Sequence, residues 1–356
     1  MSRSKPRQAP HPMQIPAIPS IHDPELAARL DHRIDDKTKP QGSLGVLERL
    51  ARQIGLIQRS ERPALARPAI VVCAGDHGVT AEGISAYPQS VTWQMVENFL
   101  AGGAAINVFA RQNDCALHIV DAGVNHDFGE RLGLVDCKVA PGTRNFCEQA
   151  AMSDQDCARA LQAGMRFVDG LDCDALGFGE MGIGNTTSAA ALMAAFTGIA
   201  AADCVGAGTG LDAKGIAHKR DVVERALRRH ADARAPLEVL AALGGFEIAF
   251  IAGAMLRGAQ RRMVLLVDGF IVTSALLAAA ALQPAVLDYC VFSHCSGEAG
   301  HRRMLDYLKA RPLMQLDLRL GEGTGSALAL PLLRAAVNFL ESMATFSAAG
   351  VNGKNG

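Results

Sequence analysis

The sequence is poor in aromatic residues, with one Trp and three Tyr in 356 positions. A platform of rings for stacking nucleic-acid bases is therefore excluded. It also lacks an excess of either charge. Thirty-five Lys and Arg stand against 36 Asp and Glu, a formal net charge of −1, so neither nucleic acid nor an anionic membrane has an electrostatic footprint to bind. No uninterrupted apolar run reaches the ~18 residues of a membrane-spanning helix. The pattern C-x-x-C is absent, and nine Cys are scattered singly along the chain. That pattern reads as reduced, mostly buried thiols in a cytoplasmic protein, not as a disulfide framework. The first twenty residues, MSRSKPRQAPHPMQIPAIPS, are rich in Pro and lack an apolar core of signal-peptide length. They are expected to form a disordered arm, and the Gly/Asn-rich end AAGVNGKNG is expected to fray.

What remains is a soluble globular composition, 49% hydrophobic and 20% charged. From Asp23 to Arg59 the spacing predicts helix. Asp23 and Pro24 form an N-cap and first-turn pair, and Leu44, Leu47, Leu50 and Ile54 recur at helical intervals. Six short apolar runs of strand length follow, at 69–74, 116–122, 174–179, 263–269, 287–293 and 314–321. Ala-rich helical stretches separate most of them, and a last helix is predicted over 327–346. This alternation predicts an α/β fold with a parallel sheet.

The six runs end in GDHGV, DAGVN, GEMGIGN, DGF, SHCSGE and GEGTG. Ligands of open parallel sheets bind at the carboxyl ends of the strands. Polar residues and glycines at all six ends point to one shared pocket for a polar ligand. The stretch LGFGEMGIGNTTSAAA contains a literal G-x-G-x-x-G in Gly177, Gly179 and Gly182. Three readings are open: a dinucleotide turn, a purely structural turn, and a monophosphate cradle. The third is favoured. The following helix is expected to start after Gly184, capped by Asn185, Thr186 or Thr187, with backbone N–H groups at 184–187 facing an anion. Asp203 lies at the spacing of a ribose-binding acid but follows no convincing strand, and no G-K-[ST] is present. Glu322, between two glycines, is either an exposed turn acid or a placed carboxylate. Asp76, His77, His294, Cys295 and His301 lack zinc spacing. Lys219 opens a helix that looks exposed, and is either a surface lysine or a phosphate partner.

Taken together and in order, KPQGSLGVLERLA, GDHGV, EGISAYPQSVTWQMV, GEMGIGNTTSAAA, HKRDVV, GGFEIA, DGFI, SHCSGEAGH and RLGEGTGSALAL resemble the nicotinate-nucleotide:dimethylbenzimidazole phosphoribosyltransferase family of cobalamin lower-ligand enzymes, over about residues 22–345. The resemblance implies a Rossmann-like parallel sheet and a homodimer. It divides the chain into an arm (1–21), a small helical domain (22–60 with 328–346), a large α/β domain (61–327) and a flexible tail (347–356). It implies transfer of phosphoribose from nicotinate mononucleotide to dimethylbenzimidazole, giving α-ribazole phosphate and nicotinate with inversion, and no metal or redox cofactor. By the same match Glu322 is the general base, and Glu180 is a second active-site acid facing the ribose. Gly182, Ile183, Gly184, Asn185, Thr186 and Lys219 hold the phosphate. Tyr87, Gln89, Met95 and Leu320 line the aromatic-base pocket. Asp268, Ser293 and Ser296 stand in strand-end loops near nicotinate. The preferred base is not legible, because the Tyr87–Met95 segment varies within the family. Three rivals stand beside this reading: an NAD-dependent oxidoreductase, a metal-dependent hydrolase built on Asp76, His77 and His294, and a silent nicotinate mononucleotide sensor.

Overall fold

A computed structural model describes residues 14–208 and 210–352. Its centre is a six-stranded, all-parallel sheet: β1 (Pro68–Gly75), β2 (Ala116–Gly123), β3 (Leu134–Asp136), β4 (Ala175–Met181), β5 (Val264–Val267) and β6 (Cys290–Phe292), in the order β3-β2-β1-β4-β5-β6. The α/β, Rossmann-like expectation is met. Every residue of β1 and β5 is buried, as happens when helices cover both faces of a parallel sheet. Helices Phe246–Gln260 and Thr324–Ser342 each lie along β1, β4 and β5. The first packs with helices Asp154–Asp169 and Phe270–Leu282. The second packs with Val46–Gln58 and Ala105–Gln112.

Local sequence explains the elements. In helix Pro24–Asp35 the Asp23 carboxylate accepts the Leu26 N–H at 3.0 Å, and Leu26, Leu30 and Ile34 form the buried stripe. Helix Phe246–Gln260 is apolar almost all round and is buried accordingly.

Four local expectations need correction. MQLDLRLG is not a strand. It pairs beside β6 through one bridge, between Met314 and His294, and its Gly321 lies against Glu180 of β4. Asp317 and Gly321 take left-handed φ values of 53° and 79°, and Leu316 and Leu320 are half exposed, so the chain swings out instead of extending. The run at 287–293 is a 3-10 turn, Pro284–Tyr289, before the short β6. β3, at three residues, was too short to show a period. The last long helix runs Thr324–Ser342, with Pro331 inside it, and a one-turn helix, Phe346–Ala349, stands where a tail was expected. At the other end, residues 1–13 of the expected arm lie outside the described residues, as do 353–356 of the tail. Residues 14–21 carry no helix or strand but are docked. Ile15, Ile18 and Ile21 pack on the core, and the Tyr289 hydroxyl donates to the Pro19 carbonyl at 2.7 Å. Among the described residues no helix is long and apolar enough to cross a membrane.

The chain leaves β1 toward β2 and β3 on one side, then crosses to β4 on the other. The sheet therefore has its switch point between β1 and β4, where the carboxyl ends of the strands open a crevice.

Candidate active site

A cavity of about 260 Å³ opens at this end of the sheet. The carboxyl ends of β4, β5 and β6 line it. The end of β4 and the turn after it contribute Glu180, Met181, Gly182, Ile183, Asn185 and Thr186. The loop after β5 adds Gly269, Phe270 and Ile271; the loop after β6 adds His294, Ser296 and Glu298. Arg319, Leu320, Gly321 and Glu322 close it, with Tyr87 and Gly208 at its edge.

The literal G-x-G-x-x-G is not a dinucleotide turn. Gly177 and Gly179 are inside β4, where their missing side chains make room for neighbours. A Cβ on Gly177 would stand 2.9 Å from Ile70 and 3.0 Å from Ser326, and one on Gly179 would overlap the Glu322 carbonyl. Asp203, the candidate ribose acid, sits in a one-turn helix and pairs with Arg303 at 2.9 Å. The turn itself comes later, as the cradle reading requires. Gly184 is left-handed, with φ of 96°, and helix Asn185–Thr197 starts after it.

That helix has no side-chain N-cap, contrary to the expectation for Asn185, Thr186 or Thr187, because the three side chains are placed elsewhere. Asn185 Nδ2 donates to Glu180 Oε2, Thr186 Oγ1 accepts from Lys219 Nζ at 2.6 Å, and Thr187 Oγ1 is buried without a partner. The uncapped first turn carries the positive end of the helix dipole. Within the loop the Ile183 N–H is already given to Thr92 Oγ1 at 3.1 Å and the Asn185 N–H to the Gly182 carbonyl at 3.1 Å. Lys219 is not exposed. It is buried inside helix Ala213–Arg229, and burial lowers its ammonium to about 8, so a bound anion would restore what desolvation removes.

Two carboxylates line the centre of the site and a third is buried behind them. Glu322 is held between Gly321 and Gly323, and the three take left-handed φ values of 79°, 62° and 82° in chain order. Burial raises its carboxyl to about 7. Glu180 lies against Gly321, where a Cβ would strike its Oε1. Burial, and then the charge of Asp268, push it well above the ordinary carboxylate range, while the Asn185 hydrogen bond opposes them. Asp268, at the end of β5, is raised to about 7 by burial against backbone hydrogen bonds from the Gly323–Ser326 turn. Acids this crowded favour a partner that carries or gains positive charge.

Not every expected residue faces the cavity. Asp268 and Ser293 are buried behind its wall. Ser293 Oγ lies 3.5 Å from Ser326 Oγ, and its N–H pairs with Val267. Gln89 holds the His77 carbonyl and Thr80 Oγ1 at 3.3 and 3.4 Å, and Met95 packs against the core. Of the metal-hydrolase residues, His77 and Asp76 are engaged in hydrogen bonds and His294 is not. His77 Nε2 bonds Glu247 Oε1 at 2.6 Å in full burial, and the Asn125 N–H donates to Asp76 Oδ2 at 2.8 Å. Among the described residues no group of three or more His, Cys, Asp or Glu is placed to hold a metal ion. His294 lines the cavity with neither ring nitrogen in a hydrogen bond; its Nε2 stands 3.6 Å from Asp268 Oδ1, and burial disfavours its protonated form. His301 is a pin. Its Nδ1 accepts the Ser296 N–H at 2.8 Å, so its Nε2 carries the proton toward Thr273 Oγ1 at 3.0 Å.

Sequence reasoning missed Glu298, Arg319, Phe270 and Ile271 as cavity residues. The segments DGFI, SHCSGE and RLGEGTG contain them, but none singled out these side chains.

Comparison with known proteins agrees with this geometry. A family model described as a phosphoribosyltransferase matches residues 20–351. The nicotinate-nucleotide–dimethylbenzimidazole phosphoribosyltransferase of Janthinobacterium sp. (strain Marseille) is 64% identical over 341 residues, covering 95% of this chain and 99% of its own. The protein of the same name from Cupriavidus necator is 59% identical over 343 residues, covering 96% and 99%. The crystal structure of CobT from Thermus thermophilus superposes with a TM-score of 0.89 at 48% identity, over 92% of this chain and 99% of that one. The chain belongs to the nicotinate-nucleotide–dimethylbenzimidazole phosphoribosyltransferase family.

Proposed function

We propose that this chain transfers phosphoribose from nicotinate mononucleotide to dimethylbenzimidazole, releasing nicotinate and forming α-ribazole phosphate for the nucleotide loop of cobalamin. The observation that carries the reading is one chain of contacts along the cavity. Lys219 holds Thr186 at the start of an uncapped helix; the neighbouring Asn185 holds Glu180; Glu180 abuts Gly321, next to Glu322. An anion site thus leads directly into an acid-lined centre, the order of charge in a phosphoribosyl pyridinium.

The chemistry follows from that order. The ring nitrogen of bound nicotinate is cationic, so it leaves with the electron pair of the C1′–N bond and needs no general acid. A benzimidazole nitrogen forms the new bond to C1′ from the opposite face. The attacking ring becomes cationic, and its other N–H becomes acidic. Glu322 takes that proton. A carboxyl near 7 suits a base working at neutral pH, and a positioned base contributes about 10²–10⁴-fold. Glu180 faces the ribose, where negative charge favours an oxocarbenium-like transition state. Holding both substrates in line supplies much of the remaining acceleration. Gly182–Thr186 with Lys219 take the phosphate. Tyr87 and Leu320, half exposed at the cavity mouth, offer apolar surface to the base, while Gln89 and Met95 act through the segment that carries Tyr87. Ser296 is on the nicotinate side. The assembly is a homodimer, checked by light scattering of the purified protein.

The direct test mixes the protein with both substrates, in the presence of a chelator, beside Glu322→Gln. A ribazole phosphate peak that falls at least about 10²-fold in the variant is expected. Absence of product from the unaltered protein, across several benzimidazoles and purines, refutes the transferase reading.

A further inference from the structure

Glu322 bears a side chain in a conformation that side-chain-bearing residues sparsely populate, and it does so at the centre of the site. Such a residue stays in place only when its surroundings hold it. Two kinds of contact do so here. From below, Gly179 of β4 lets the Glu322 carbonyl approach the sheet, and Gly323 comes close enough to Ile70 that a Cβ would stand 3.0 Å from it. From the side, both oxygens of Asp268 are spent on the turn. Oδ2 accepts the Gly323 N–H at 3.2 Å, and Oδ1 accepts the Ser326 N–H at 3.0 Å.

Asp268 follows β5 directly, so its backbone is anchored in the sheet. Its carboxylate is buried behind the cavity wall and is absent from the cavity lining. Gly325 passes so close that a Cβ there would stand 2.6 Å from Asp268 Oδ1. The carboxylate is thus enclosed by the backbone of the first turn of helix Thr324–Ser342, in the place where an N-terminal cap satisfies orphan N–H groups. Ser326 Oγ adds a second tie, to the Leu266 carbonyl of β5 at 3.2 Å. A residue at a strand end beside a nucleotide cavity invites assignment as a substrate contact, but each oxygen of Asp268 accepts a backbone N–H of the turn, and the one side chain between Oδ1 and the cavity is His294, whose Nε2 stands 3.6 Å away.

We infer that Asp268 is a positioning residue: it ties the left-handed Gly321–Gly323 turn to the end of β5 and thereby aims Glu322 at the attacking base, without touching either substrate. This inference rests on the transferase reading, with Glu322 as the base.

The test is a double-mutant cycle joined to amide exchange. Asp268→Asn keeps the volume but presents an amide N–H₂ to one of the two N–H donors. In the otherwise unaltered enzyme it is expected to lower kcat by about 10- to 100-fold, the cost of a lost charge-assisted hydrogen bond, with KM for nicotinate mononucleotide within about 3-fold. In the Glu322→Gln background the same change is expected to move kcat less than about 3-fold, because residues that act through one another are not additive. Deuterium exchange over residues 319–328 is expected to quicken at least about tenfold, while the segment 182–190 keeps its rate. Losses that multiply fully in the two backgrounds, a matching rise in KM, or unchanged exchange over 319–328 each overturn the inference. If Asp268→Asn gives no cooperative melt, Asp268→Ser, which retains an accepting oxygen, runs the same cycle with the same criteria. An unaltered enzyme that forms no product overturns the transferase reading instead, and the exchange comparison still decides whether Asp268 holds the turn.

Discussion

Gly179 lies directly beneath the carbonyl of Glu322, with no room between them for a methyl group. The atoms a Cβ would strike belong to backbone, at Glu322 and Gly323, so no side-chain rotation relieves the overlap. Gly179→Ala is expected to destabilise the protein by about 1–3 kcal/mol, as overpacking does. If Glu322 is the base, displacing its turn should lower kcat at least about tenfold, by the steep dependence of catalysis on placement. Thermal melting and steady-state kinetics on the same preparation check this; an Ala variant with full kcat contradicts it.

The pH profile has a defined sign. Glu322 must be ionised to accept a proton, and its carboxyl is held near 7. Activity is expected to rise between about pH 6 and 8, with a midpoint near 7 that belongs to the coupled acids of the site and not to one of them alone. Stability runs the other way. A carboxyl raised above its unfolded value favours the fold most below that value, near 4.5 for Glu322, and the benefit is lost as pH rises through about 7. Glu322→Gln removes that titration. Relative to the unaltered protein, its Tm should be higher at pH 8 than at pH 5. A difference in Tm that is flat with pH, or of opposite sign, contradicts this.

If Lys219 holds the phosphate, it stabilises the bound anion but not the empty fold. Its lowered ammonium shows that burial penalises the charged form when no anion is present. Lys219→Met is expected to leave the Tm of the ligand-free protein unchanged or raised. It should increase KM for nicotinate mononucleotide about 10- to 100-fold, the range of a lost hydrogen bond to a charged group. Calorimetric titration with nicotinate mononucleotide gives the same comparison without turnover. Binding unchanged in the variant removes Lys219 from the phosphate site.

Tyr87 stands half exposed at the cavity mouth. If its ring covers the incoming base, Tyr87→Ala raises KM for dimethylbenzimidazole about 3- to 10-fold, the size of one aromatic contact. KM for nicotinate mononucleotide should hold. Equal rises in both constants would show a general disturbance of the site.

Much of this arrangement was legible in the residues. The buried runs AIVVCA and MVLLVDG became strands because only a sheet covered on both faces accepts such runs. Gly184 marked the left-handed turn before a helix. Glu322, flanked by two glycines, was visible as a carboxylate approached closely by backbone. Other features were hidden by their nature. MQLDLRLG has the alternation of a strand, yet after one bridge beside β6 the left-handed Asp317 turns the chain away. Lys219 looks like a surface lysine because it stands in HKRDVVER, a charged stretch whose buried face shows only when helix Ala213–Arg229 is laid on its neighbours. Glu298 and Arg319 have no local pattern at all, since a cavity wall gathers residues from distant segments.

The sequence alone determined the kind of molecule: an α/β chain whose strand ends carry glycines and acids, with a glycine-rich turn before one helix and a carboxylate set between two glycines before another. Those follow from local rules of backbone freedom and hydrophobic period, which act over a few residues. Only the tertiary structure decided which acids titrate together, which lysine loses its water, and which carboxylate faces the cavity while another is spent on backbone. Those depend on burial and on contacts between segments far apart in the chain, such as β1 with β4 and Asp268 with Gly323. Desolvation is a property of the packed site and not of any segment within it.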